Sequence, residues 1–144
     1  MNIKKILTFG VYDYFHLGHL RLFKQAKQHA DYLIVAVQNG EYIKKCKPEA
    51  VVLYSTKDRI EILEGLRIVD KVVVYDLVSV AALEKIDSEV GFDILALGED
   101  HVGNRFDEIT NWCDEHEKKV IRLKRTPGIA SSMIKKELSK YISK

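Results

Sequence analysis

The sequence predicts an α/β protein in which a five-stranded parallel sheet lies between two layers of helices, a three-layer sandwich. Three observations predict it. Apolar runs alternate with segments of helical periodicity, the pattern of right-handed βαβ units. The apolar runs show no polar alternation, as expected of strands covered on both faces. The chain has 144 residues, which suits one compact domain spanning 1–144.

The elements follow in order. Residues 3–9 read as a strand. A helix over 20–29 places Leu22, Phe23 and Ala26 on one face and Arg21, Lys24 and Lys27 opposite. Residues 31–37 form a second, almost wholly apolar strand. The stretch 38–49 is polar and Lys-rich and reads as a loop. Ser55 is an N-cap for a helix marked by Ile60, Leu63 and Leu66. A third strand covers 71–75 and a helix 80–86, where Leu83 and Ile86 are at helical spacing. Residues 93–98 form the fourth strand, 106–118 a helix and 120–123 the fifth strand. A last helix, 131–142, carries Ile134, Leu138 and Ile142. Both prolines, Pro48 and Pro127, fall in loops, and no internal repeat is seen. Ligands of such sheets bind beyond the carboxyl ends of the strands, which directs attention to the loops after Phe9, Val37, Leu97 and Leu123.

Composition excludes several classes. Hydrophobic residues make up 47% and charged residues 31%, so disordered and fibrous proteins are out. With 23 basic and 21 acidic residues the net charge is +2, which gives no case for nucleic acid or a polybasic membrane anchor. No apolar run approaches the roughly 20 residues that span a bilayer. The first residues, from Met1 to Lys5, lead into a strand without a signal-peptide apolar region. Cys46 and Cys113 form no C-x-x-C pair, and a reduced, cytoplasmic protein is expected.

Chemistry concentrates in five segments. The first is Gly10-Val11-Tyr12-Asp13-Tyr14-Phe15-His16-Leu17-Gly18-His19, directly after the first strand. Gly18 allows close backbone approach, the following helix start favours phosphate, and His16 and His19 supply hydrogen-bond donors for phosphate oxygens. No third or fourth ligand stands at zinc spacing. The second is Arg125-Thr126-Pro127-Gly128-Ile129-Ala130-Ser131-Ser132, a cation, a turn and hydroxyls at a helix start, which reads as an ordinary cap when taken alone. The third is Gly98-Glu99-Asp100 after the fourth strand. The fourth is Lys44-Lys45-Cys46-Lys47, adjacent cations in a flexible loop suited to clamping phosphates. The fifth comprises Tyr54 to Arg59 and Leu66 to Asp70.

Residues 10–19 closely resemble the H-x-G-H signature of the nucleotidylyltransferase superfamily, in the G-[TV]-[FY]-D-x-x-H-x-G-H form of its cytidylyltransferase branch. Residues 125–132 resemble the family's R-T-x-G-I-S-[ST] run, with Ala130 where the family has Ser. Lys45 and Lys47 resemble its K-x-K element, and the remaining segments its G-[DE]-D, Y-S-x-x-x-R and R-x-V-D elements. The resemblance covers about residues 3–138. It implies a Rossmann-like nucleotidylyltransferase fold and transfer of CMP from CTP to a small phosphomonoester, foremost glycerol 3-phosphate, with Mg²⁺ accompanying the triphosphate.

It further implies roles for individual residues. His16 and His19, with Lys45, Lys47 and Arg125, are expected to be catalytic. Gly10, Val11, Tyr12, Gly18, Gly98, Asp100, Arg125, Thr126, Ile129, Ser131 and Ser132 are expected to bind nucleotide. Asp13 and Arg59 are expected at the acceptor, Asp13 or Asp100 beside the metal, and a homodimer packed near Arg67. The glycerol-3-phosphate enzymes carry a Trp after R-x-V-D that helps form the acceptor pocket. Here residues 72–82 contain none, and the sole tryptophan is Trp112. Two other readings stay open: an adenylyltransferase of the same fold that makes FAD, dephospho-coenzyme A or ADP-heptose, and a non-catalytic nucleotide-binding module. A class I aminoacyl-tRNA synthetase is excluded by the short chain and the missing K-M-S-K-S.

Overall fold

The computed structural model describes residues 3–142, so the outermost two residues at each end of the expected domain lie outside the description. Five strands, β1 (Lys5–Gly10), β2 (Tyr32–Gln38), β3 (Lys71–Tyr75), β4 (Ile94–Gly98) and β5 (Lys119–Leu123), form one sheet in the order β3-β2-β1-β4-β5. Every pairing is parallel. The helices are α1 (Leu17–Lys27), α2 (Gly40–Cys46), α3 (Thr56–Glu64), α4 (Val80–Glu89), α5 (Asn104–Glu115) and α6 (Ser131–Ile142).

The strands are apolar without alternation because both faces are covered. Leu7, Phe9, Ile34, Ala36, Leu95 and Leu97 pack against Leu83 and Ile86 of α4 and Ile109 and Trp112 of α5. Their alternates Ile6, Leu33, Val35, Val37, Ile94 and Ala96 pack against Phe23 and Ala26 of α1 and Leu63 of α3. The strand order reverses between β1 and β4, so the loops leaving their carboxyl ends diverge and open a crevice there.

α3 ends at Glu64 and α5 at Glu115, short of the expected Leu66 and Lys118, and two other elements differ more from the sequence expectation. The helix expected from residue 20 begins at Leu17, inside the His-Leu-Gly-His run, because His16 itself is the N-cap. The Lys-rich stretch expected as a flexible loop contains α2. Asn39 caps α2 by accepting the N–H of Glu41, while Glu41 near its start and Lys44 and Lys45 near its end match the helix dipole. The expected cap at Ser55 is present and accepts the N–H of Asp58. Among the described residues, no helix is long and apolar enough to cross a membrane.

Arg59 overturns an expectation. It is fully buried on α3, where it is not available to hold an acceptor. Its Nη1 donates to the carbonyls of Val11 and Gln38, each at 2.8 Å, and its Nε donates to that of Tyr54 at 3.2 Å. Nη2 donates to Thr56 Oγ1 at 3.2 Å. The guanidinium thereby ties the exits of β1 and β2 to the segment entering α3.

Candidate active site

The turn between β1 and α1 is held in a costly shape. Tyr12 and Tyr14 have φ of 57° and 51°, the left-handed region that non-glycine residues seldom occupy. The buried Tyr12 ring folds back over Gly10, where a Cβ would lie 2.6 Å from its Cζ. That ring stands edge-on to both His19 and Phe23, with centroids 5.3 Å away. Gly10 is therefore a space requirement, and the strained turn sets the wall against which His19 rests.

His16 and His19 cap α1 with their own side chains. His16 Nδ1 accepts the N–H of Gly18 at 3.0 Å, and His19 Nδ1 accepts the N–H of His16 at 3.2 Å. The two imidazoles stack with centroids 3.8 Å apart. With both Nδ1 atoms accepting, the neutral rings carry their protons on Nε2. Burial lowers the pKa of His16. Burial, and then the neighbouring His16, lower that of His19 to about 4. At neutral pH the pair is thus two uncharged N–H donors. A Cβ on Gly18 would lie 2.8 Å from His16 Cε1, so this glycine leaves room for the stacked rings.

This depression has a measurable consequence. An unfolded imidazole titrates near 6.5, well above the folded His19, so the native state resists protonation. Its contribution to stability is complete above about pH 6.5 and is lost as pH falls toward 4. Melting temperatures measured from pH 7.5 to 4 should fall less steeply for His19→Asn than for the wild type. Equal slopes would contradict the assignment.

The histidines border a recess of about 310 Å³ lined also by Gly18, Arg125, Thr126, Ile129, Ser131 and Ser132. Here α6 begins, and Ala130 offers no side-chain cap. Among the described residues no acceptor takes the N–H groups of Ser131 and Ser132, which leaves them for an anion. Ser131 Oγ donates to the Asp13 carbonyl at 3.0 Å and fastens α6 to the β1–α1 turn. An adjoining crevice of about 370 Å³ shares His19, Leu22 and Arg125 with the recess and runs over the strand ends past Gly10, Val11, Tyr12, Gly98 and Asp100. Arg125 Nη2 lies 3.1 Å from Asp100 Oδ2.

Several expected residues lie elsewhere or are engaged. The Asp13 carboxylate, 3% exposed, accepts the N–H groups of Leu53 at 2.7 Å and Tyr54 at 3.1 Å. It holds the segment before α3, with each oxygen already accepting one backbone N–H. Lys45 and Lys47, exposed at the end of α2, line neither the recess nor the crevice.

Sequence reasoning missed several residues. Lys135 of α6 donates to the Val51 carbonyl at 2.9 Å and sits 3.8 Å from the Asp13 carboxylate. The signal was its place one helical turn after the Ser131-Ser132 pair. His101 lines the crevice beside Asp100, and it directly follows the Gly98-Glu99-Asp100 segment. The neighbouring crevice residues Gln38 and Tyr75, at the ends of β2 and β3, were also unassigned.

Among the described residues no cluster of three His, Cys, Asp or Glu side chains is arranged to hold a metal ion. With Asp13 engaged and one Asp100 oxygen facing Arg125, the donor set suits an ion carried in by phosphate oxygens rather than one caged by protein.

A family model described as cytidylyltransferase-like matches residues 7–137. A glycerol-3-phosphate cytidylyltransferase of Bacillus subtilis is 34% identical over 137 residues, which cover 95% of this chain and 98% of that protein. One from Staphylococcus aureus is 36% identical over 138 residues, covering 94% and 96%. An FAD synthase of Pyrococcus abyssi is 35% identical over 98 residues, covering 67% of this chain and 63% of that protein. A lipopolysaccharide core biosynthesis protein of Thermoplasma volcanium shares the fold, with a TM-score of 0.70 at 21% identity over 87% of this chain and 99% of that one.

Proposed function

The chain belongs to the cytidylyltransferase-like family of nucleotidyltransferases, and from that membership we propose that it transfers CMP from CTP to a small phosphorylated alcohol, with glycerol 3-phosphate the foremost acceptor. The observation that carries the proposal is the stacked, uncharged His16–His19 pair at the start of α1, facing the uncapped start of α6 across one recess. The full-length similarity to glycerol-3-phosphate cytidylyltransferases, against partial similarity to FAD synthases, supports the cytidine nucleotide and this acceptor.

In this reading an oxygen of the acceptor phosphate attacks the α-phosphorus of CTP. The bond from the α-phosphorus to the bridging oxygen breaks, and pyrophosphate leaves in line. The attacking oxygen is already anionic, so no general base is required. The work of the protein is positioning and stabilisation of charge. His16 and His19 donate their Nε2–H groups to the α-phosphoryl oxygens. Arg125 and the N–H groups at the start of α6 hold the β- and γ-phosphates. Lys45 and Lys47 act there only if the segment carrying α2 closes over the recess. Mg²⁺ accompanying the triphosphate would supply charge neutralisation for the leaving group, with Asp100 the crevice carboxylate placed to help hold it. The assembly is read as a homodimer packed near Arg67, which light scattering checks by a mass of two chains.

Pyrophosphate release tests the reading, with Mg²⁺, CTP or ATP, and a panel of phosphomonoesters including glycerol 3-phosphate. Release with CTP and glycerol 3-phosphate is the expected result. Release with ATP alone assigns the protein to adenylyl transfer. Nucleotide binding without release under any pairing overturns the transferase reading in favour of a binding module.

A further inference from the structure

The stretch of chain that carries Arg125 is held at its ends only. Pairing with β4 stops at Leu123, and α6 begins at Ser131. Among the described residues, no backbone hydrogen bond is made from Arg125 to Ile129. Gly128 turns the chain there with φ of 80°, and a Cβ on it would meet nothing within 4 Å. The Arg125 side chain is 66% exposed, so its ion pair with Asp100 is too well solvated to fix the segment. At the far end Ser131 Oγ is fastened to the Asp13 carbonyl. At the near end the fastening is Gln25.

Gln25 lies on α1, about one helical turn after Leu22, which borders both the recess and the crevice. Its Nε2 donates to the Lys124 carbonyl at 2.8 Å, and its Oε1 accepts the Lys124 N–H at 3.0 Å. A primary amide offers a donor and an acceptor as a peptide group does, so Gln25 holds Lys124 as a neighbouring strand would. Two bonds to one residue fix both the place and the direction of the chain just before Arg125. The helix that has the His16–His19 pair at its start therefore also holds the point from which Arg125 extends. One rigid element sets the spacing between the donors for the α-phosphate and the cation for the leaving group.

We propose that Gln25 is a positioning residue for Arg125, holding the guanidinium where the β- and γ-phosphates of the nucleotide lie. The inference deepens the transferase reading and rests on its assignment of Arg125 to those phosphates. Gln25 acts through Arg125 and not on the substrate. Without its amide the segment loses its near anchor, and the phosphates lose a preorganised, charge-assisted hydrogen bond.

The test is calorimetric binding of CTP and of CMP, with Mg²⁺, to wild type, Gln25→Met, Arg125→Ala and the double variant. CMP lacks the β- and γ-phosphates, so the ratio of the two affinities isolates the hold on them. Methionine keeps the length of glutamine and loses both bonds. Thermal melts establish folding, and Gln25→Ala, a good helix former, takes the place of Met where Met does not fold. Gln25→Met is expected to lower the CTP-to-CMP affinity ratio by about ten-fold, with CMP binding unchanged. In the Arg125→Ala background the same substitution should change the ratio by less than about two-fold. A merely structural role would weaken both ligands and would act equally in both backgrounds. A folded Gln25→Met protein with an intact ratio overturns the proposal, as does an equal loss with and without Arg125. An intact ratio in Arg125→Ala overturns the phosphate role of Arg125 and the proposal with it. Absence of pyrophosphate release, with this coupling present, overturns the transferase reading and leaves the positioning role in place.

Discussion

His16→Asn and His19→Asn are each expected to lower kcat by about 10²–10³-fold, the loss typical when one preorganised donor to a developing oxyanion is removed, with little change in melting temperature. Asparagine isolates the two functions of these residues. Its Oδ1 lies close to where Nδ1 stood, so it can still accept the Gly18 N–H at position 16 or the His16 N–H at position 19. What it lacks is the Nε2–H that reaches the recess. Alanine would also remove a cap, at a cost of about 0.5–2 kcal/mol, and confuse lost chemistry with lost structure. The double variant should lose less than the product of the single losses, because the stacked rings serve one group. Pyrophosphate release from saturating substrates measures this. A rate within ten-fold of wild type in either single variant would reject the role given to that histidine.

Arg59→Met is expected to be the most destabilising single change considered. The guanidinium satisfies the carbonyls of Val11, Gln38 and Tyr54 in a fully buried position. Methionine fills much of the volume but donates to none of them. Breaking a buried charged network of this kind costs about 3–5 kcal/mol, or roughly 10–20 °C in melting temperature for a domain of this size. Arg59→Lys should recover little, since one ammonium cannot reproduce the forked geometry. Urea unfolding separates this role from acceptor binding. A stable Arg59→Met protein with only a raised acceptor KM would restore the role that the sequence suggested.

The parts of this protein legible in its sequence are those governed by neighbours a few residues apart. Continuous apolar runs required strands covered on both faces, and the structure supplies α1 and α3 on one face and α4 and α5 on the other. Ser55 was readable as a cap because capping acts over three residues. The His16–His19 spacing belongs to the same class, since the pair is a capping interaction within one helical turn. The signal for α2 was also local, but its Lys-rich composition obscured the cap at Asn39.

The fates of charged side chains depended on where distant chain segments return. Arg59 and Asp13 resemble surface ligands in a motif, yet their partners are carbonyls and N–H groups up to 48 residues away. Those backbone groups leave regular strands and helices at this point, and once buried they require a donor or an acceptor. No local pattern announces that demand. The same holds for His101, whose anchoring depends on Phe106 and Arg122 arriving beside β4. The sequence by itself determined the alternation of elements, the place of the crevice and the donor pair at the start of α1, because periodicity and capping are short-range. Only the tertiary structure decided which polar groups remain free to meet a substrate, because burial and hydrogen-bond satisfaction are settled by the whole chain at once.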